Sequence, residues 1–105
     1  MEQKIREKPD FLLTNKKGKH TGYWLYILKS RTSDKYYIGV SQNPPVKLHY
    51  HNNLEKGFTS RYRPWEIVFT KEFPDRQQAQ MIEKKIKSWK SRIMVEKIIS
   101  GELEI

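Results

Sequence analysis

The sequence predicts a mixed domain of the α/β (α+β) class: a central three-stranded antiparallel sheet flanked by helices, in the order β-β-α-β-α-α. Three observations carry that prediction. Segments 23–28, 36–40 and 65–70 are short runs rich in aromatic and β-branched residues, which suit strands. Residues 75–89 repeat their apolar positions at helical spacing behind a capping pattern, Asp75 followed three residues later by Gln78. Strands and helices do not alternate as they do in parallel βαβ proteins, so an antiparallel sheet with helices packed on it is the expected architecture.

In chain order, Tyr23-Trp24-Leu25-Tyr26-Ile27-Leu28 reads as a strand buried on both faces. Residues 30–35 are a polar turn, and Tyr36-Tyr37-Ile38-Gly39-Val40 completes a hairpin. Pro44 and Pro45 suit the first turn of a helix, where a missing N–H costs nothing. That helix is expected over residues 46–54, with Val46, Tyr50 and Leu54 as its inward stripe, and Gly57 ends it. Residues 59–64 are a loop carrying Arg61 and Arg63, and the third strand closes at Phe73 after residues 65–70. Pro74 breaks the chain before the long helix. Ser91 caps a last helix over residues 92–99, and Gly101 is its stop signal.

Residues 1–20 are polar, with a basic cluster of Lys16, Lys17, Lys19 and His20. They read as a basic, flexible arm, either solvated or touching phosphate. Residues 21–100 form the domain and 101–105 a short tail.

The chain has 105 residues, room for one core, and a formal net charge of +9 from 21 Lys plus Arg against 12 Asp plus Glu. A compact domain this basic attracts polyanions, nucleic acid first and an anionic membrane surface second. The absence of cysteine excludes disulfide scaffolds, thiolate catalysis and Cys-ligated metals. Phe11-Leu12-Leu13 is too short for a signal peptide core or a membrane span, so the expected compartment is the cytoplasm.

Four groups of residues invite chemistry. If Lys29 pairs with Tyr36, then Tyr26 faces Gly39, and Tyr26 and Tyr37 share one face of the hairpin as diagonal neighbours. Strand tyrosines are often only core or platform residues, so the pair alone decides nothing. On the long helix, Ala79, Ile82, Ile86 and Trp89 fall within a stripe roughly 80° wide that faces the core, and Glu83 lies roughly 40° beyond its edge. A carboxylate there either points into a cleft or pairs with Lys87 in solvent. Lys47 and His51, four residues apart, are expected on the edge of the first helix, where a phosphate or a proton could meet them. His49 and His51 diverge by roughly 200° on a helix and have no third ligand nearby, which argues against zinc. Arg61, Tyr62, Arg63 and Trp65 interleave cations with rings, suiting phosphates and bases, with a solvated loop as the rival reading.

These residues occur in a recognisable order. Trp24-Leu25-Tyr26 followed by Tyr37-Ile38-Gly39 resembles the two half-motifs of the GIY-YIG nuclease family. The helix with His51-Asn52, the Arg61-Tyr62-Arg63-Pro64-Trp65 loop, Ala79 with Glu83, and Ile86-Lys87-Ser88-Trp89 resemble it as well. The likeness runs over about residues 22–99 and is closest to the small standalone bacterial members. The resemblance implies a metal-dependent DNA endonuclease that hydrolyses phosphodiester bonds, with structure-specific roles in repair or recombination. It implies that Tyr26 and Tyr37 line the site and that one phenol positions or deprotonates the attacking water. It implies that Glu83 holds one divalent cation, Mg2+ or Mn2+, and that His51 shuttles a proton or donates to phosphate. It implies DNA, branched, flapped or nicked, as the partner, with Arg61, Arg63 and Lys87 in contact with it. The family usually carries arginine where this chain has Lys47, which predicts weakened activity. The alternative is a non-catalytic nucleic-acid-binding module that keeps the fold.

Overall fold

A computed structural model describes residues 22–105. The basic arm expected over residues 1–20 lies outside them. The elements follow the expected order: β1 (Tyr23–Ser30), β2 (Tyr36–Ser41), α1 (Pro44–Asn53), a 3-10 turn (Phe58–Tyr62), β3 (Trp65–Phe73), α2 (Arg76–Trp89) and α3 (Arg92–Ser100). The sheet is antiparallel throughout and ordered β2-β1-β3. β1 is therefore central, as its unbroken run of apolar residues requires: Leu25, Tyr26, Ile27 and Leu28 are all buried.

Alternation along β1 splits the core in two. Leu25 and Ile27 join Ile38 from β2, Ile86 from α2, and Val95 and Ile98 from α3. Tyr26 and Leu28 face the other way, with Trp65 and Ile67 from β3 and Leu48 from α1 packed against them. So α2 and α3 cover one face of the sheet, and α1 with the 3-10 turn covers part of the other. A register shift between Ile27 and Leu28 lets β3 serve both layers: Phe69 pairs with Ile27, but Ile67 pairs with Leu28. The bulge accommodates one extra residue, Val68, which sequence periodicity does not reveal. Leu103 and Ile105 also pack on the helical side, so the last five residues are joined to the core.

Local signals set the helix ends. Asp75 accepts from the Gln78 N–H and Ser91 from the Met94 N–H, each satisfying an otherwise orphaned donor. Gly101 takes φ of 89° and closes α3 in the left-handed conformation that glycine adopts without a Cβ penalty. Asn43 caps α1, with Pro44 and Pro45 in its first turn.

The inward stripe expected on α1 is corrected by the structure. Val46 and Leu54 are each 58% exposed, and Tyr50 is also exposed. The buried residues are Pro44 and His51, with Leu48 between them. The helix turns its histidine inward because the histidine finds two hydrogen-bond partners there, and its apolar stripe is left facing solvent. Lys47, one helical turn before the buried His51, is exposed, with its ammonium 5.1 Å from the Tyr50 ring centre.

Candidate active site

The hairpin register is the expected one: Lys29 pairs with Tyr36, Leu28 with Tyr37, and Tyr26 with Gly39. Tyr26 and Tyr37 consequently share a face, their ring centres 6.3 Å apart. Gly39 is needed by close approach. A Cβ at that position would lie 2.5 Å from the Tyr26 hydroxyl oxygen, inside any allowed contact. The missing side chain is what lets the phenol lie flat across β2.

His51 completes an aromatic cluster with the two phenols. It is only 4% exposed. Its ring centre lies 4.5 Å from that of Tyr37, and its Nε2 is 3.1 Å from the Tyr26 hydroxyl. On the far side its Nδ1 is 3.1 Å from the Thr59 hydroxyl. Both ring nitrogens are thus engaged by groups from distant parts of the chain. Burial lowers the histidine pKa from its ordinary value; the Glu55 charge opposes this, and the Lys47 and Arg63 charges, each weaker than Glu55, add to the lowering. His51 is therefore neutral at neutral pH.

The phenols are shifted in the other direction. Tyr26, 2% exposed, is raised well beyond the ordinary phenol range, first by burial and then by the neighbouring Tyr37 and Glu83. Burial also raises Tyr37, with Lys87 partly opposing it and Glu83 and Glu55 adding to it. Glu83 thus acts electrostatically on both tyrosines.

β2 is an edge strand, so a side chain on the rim of α2 can meet residues on either face of it. Glu83 and Lys87 occupy that rim. The Lys87 ammonium lies 5.9 Å from the Tyr37 ring centre and donates to Glu83 Oε2 at 2.9 Å. The Glu83 side chain is 19% exposed, partly sheltered yet open to solvent. Glu83 thus pairs with Lys87, one of its two expected arrangements, while part of its carboxylate stays open to solvent.

The arginines separate. Arg61 is exposed at the 3-10 turn. Arg63 is half-buried, with its Nε donating to the His51 carbonyl at 2.7 Å and an Nη donating to the Glu55 carbonyl. Its guanidinium holds the end of α1 in place. Next to it, Asn52 behaves as a piece of strand: its Oδ1 accepts from the Trp65 N–H at 2.7 Å and its Nδ2 donates to the Trp65 carbonyl at 3.1 Å. Trp65 Nε1 in turn donates to the Thr59 carbonyl at 2.8 Å. Sequence reasoning missed Thr59 and the positioning role of Arg63. A buried threonine inside a polar loop leaves no periodic mark.

Among the described residues, no group of three or more His, Asp or Glu side chains converges as a metal cage. Glu83 offers a single hard carboxylate. That donor set fits an ion such as magnesium, which keeps most of its water and takes one or two carboxylates. It does not fit a site built wholly from protein ligands.

Comparison with known proteins agrees with the geometry. A family model described as the GIY-YIG catalytic domain matches residues 22–97. The chain is 39% identical over 51 residues to the structure-specific endonuclease subunit SLX1 of Phaeosphaeria nodorum, covering 44% of this chain and 14% of that protein. It is 42% identical over 52 residues to the SLX1 subunit of Chaetomium globosum, 44% of this chain and 16% of that one. The SLX1 subunit of Podospora anserina is 46% identical over 52 residues, again 44% of this chain and 15% of the relative. The chain thus spans only a small part of the curated relatives that it matches. The family match, by contrast, extends from the residue before β1 into α3, over a fold of the order already described. The chain belongs to the GIY-YIG catalytic domain family.

Proposed function

We propose that this domain is an endonuclease that hydrolyses phosphodiester bonds in DNA, with branched, flapped or nicked DNA as its substrates. The observation that carries this reading is a pair of hairpin phenols, ring centres 6.3 Å apart, flanked by the Lys87–Glu83 pair of α2, whose ammonium lies 5.9 Å from the Tyr37 ring centre and 2.9 Å from Glu83 Oε2. The named activity of the SLX1 relatives, structure-specific endonuclease subunits, supports the substrate class.

In this reading each residue has one task. The phenols remain protonated near neutral pH, because burial disfavours the phenolate. They therefore position the attacking water and the phosphate oxygens through O–H groups. Glu83 is the residue that would hold a divalent cation, magnesium or manganese. When bound, such an ion supplies positive charge against the negative charge that develops on the phosphate. Lys87, donating to Glu83 Oε2 at 2.9 Å, holds the carboxylate along the rim of α2. Lys47 and Arg61, both exposed, meet the DNA backbone. His51 fixes Tyr26 from behind.

Incubating the protein with nicked, flapped and branched DNA in magnesium or manganese tests the proposal. Cleavage that disappears in Glu83→Ala supports it, and cleavage that survives that substitution removes Glu83 from the mechanism.

A second reading rests on Lys47. A lysine offers one mobile charge where an arginine offers a fixed fork of donors, so a domain that binds DNA without cutting it is the alternative. Lys47→Arg separates the two: a gain in cleavage marks a weakened nuclease, and silence with every metal and substrate marks a binding module.

A further inference from the structure

We infer that the groove between the start of β2 and the α2–α3 corner receives a single-stranded arm of the DNA, with Lys90 as its phosphate contact. The inference deepens the nuclease reading and rests on it for the choice of DNA.

The groove is an open cavity of about 260 Å³. Its floor is apolar, made by Ile38 of β2, Ile86 of α2 and Val95 of α3. Its rim carries four cations, Lys35, Lys87, Lys90 and Arg92, against one acid, Asp34. Arg92 is paired, with Asp34 Oδ2 at 3.3 Å and Glu96 Oε2 at 3.8 Å, but both partners are exposed and the pairs are screened by solvent. Lys35 and Lys90 have no carboxylate partner among the described residues. A concave surface with positive charge left over at its rim favours a polyanion.

The lining selects the kind of polyanion. A duplex turns its phosphates outward and hides its bases in the stack, so an apolar floor gains nothing from it. A single strand offers phosphates to the rim and unstacked bases to the floor.

Lys87 joins the groove to the candidate active site. It lines the groove, and the same ammonium lies 5.9 Å from the Tyr37 ring centre and 2.9 Å from Glu83 Oε2. Lys90, the residue that caps α2, follows Lys87 by about one helical turn. A strand lying at Glu83 reaches Lys90 within ~10 Å along the helix axis.

The backbone at Lys90 is an independent mark. Its φ is 48° and its ψ 44°, a left-handed conformation that costs a residue with a Cβ and suits glycine. Lysine here holds a backbone that glycine would relax, and what it adds is a cation at the groove. That cation also meets the carbonyl end of α2, so stability has to be measured beside binding.

The test is fluorescence anisotropy with flapped DNA and with plain duplex, in EDTA so that nothing is cut, for the wild type, Lys90→Gly and Lys97→Gln. Lys97 is exposed on α3 outside the groove and controls for net charge. Lys90→Gly is expected to weaken flap binding about threefold or more at low salt and to flatten its log–log salt slope by roughly 0.7, one single-stranded phosphate. Duplex binding and the melting temperature should stay close to those of the wild type, and Lys97→Gln should change neither DNA. Equal losses on flap and duplex in Lys90→Gly, or no loss on either, overturn the inference, as does an equal loss in Lys97→Gln. If Lys90→Gly fails to fold, Lys90→Gln carries the same readout. Lys90→Gly that weakens binding of labelled polyglutamate but not of the flap gives the groove to an acidic peptide and overturns the DNA assignment. Wild-type protein that binds flaps but cuts no DNA in magnesium or manganese removes the nuclease reading and leaves the groove; a wild type that cuts, with Lys90→Gly binding flaps normally, does the reverse.

Discussion

At Glu83 a carboxylate stands on the rim of a buried helix face with a lysine already beside it. Glu83→Gln keeps its shape and removes its charge. Steady-state cleavage is expected to fall by at least on the order of 10²–10³, the loss typical of a transition-state stabiliser. The melting temperature is expected to move little, since solvent-screened i,i+4 pairs contribute only about 0.3–0.5 kcal/mol. Gly39→Ala should do the opposite, costing about 1–3 kcal/mol in urea unfolding as the new methyl group drives the Tyr26 phenol aside. His51 gives the molecule an acid limb. Its folded pKa lies below the unfolded value of 6.5, so the unfolded chain takes up the proton first. Its contribution to stability is whole above pH 6.5 and shrinks as pH falls towards the folded pKa. Thermal melts between pH 7.5 and 5 should show this decline, and a folded His51→Gln should show a flatter one.

The elements differ in how openly the sequence declares them. The strands and the tyrosine register are legible because alternation has a period of two and Gly39 marks the close approach. α2 is legible because its stripe is long and its Asp75 cap stands at the right place. The inward face of α1 is not, because a helix of ten residues with a buried histidine is defined by partners that come from β1 and the 3-10 turn. No local pattern announces them. The bulge opposite Ile27 and Leu28 is hidden for the same reason, being a property of a pair of strands. The outcome on α1 is testable: Val46→Ser and Leu54→Gln, both at exposed positions, should shift unfolding free energy by no more than about 0.5 kcal/mol. Asn52→Leu, by contrast, should cost about 1–3 kcal/mol for each Trp65 backbone group that it leaves buried and unpaired.

Over the whole molecule, a formal charge of +9 makes DNA affinity a function of salt. Titrations across salt concentrations should give a log–log slope of roughly −0.9 for each duplex phosphate contacted. Arg61→Gln should reduce that slope by about one contact and leave the fold alone, while Arg63→Gln should lower the melting temperature, because its donors hold the carbonyls of His51 and Glu55. None of the domain's helices among the described residues is long and apolar enough to cross a membrane. The knot of Asn52, Arg63 and Trp65 has one more effect. It ties the last turn of α1, the 3-10 turn and the first residue of β3 through side chains, with no continuous secondary structure joining them. Such a corner must come apart as one piece. Deuterium uptake at the amides of Trp65 and of the α1 C-terminus should then report a common opening free energy, and each opening would unmoor the histidine from the phenol it steadies.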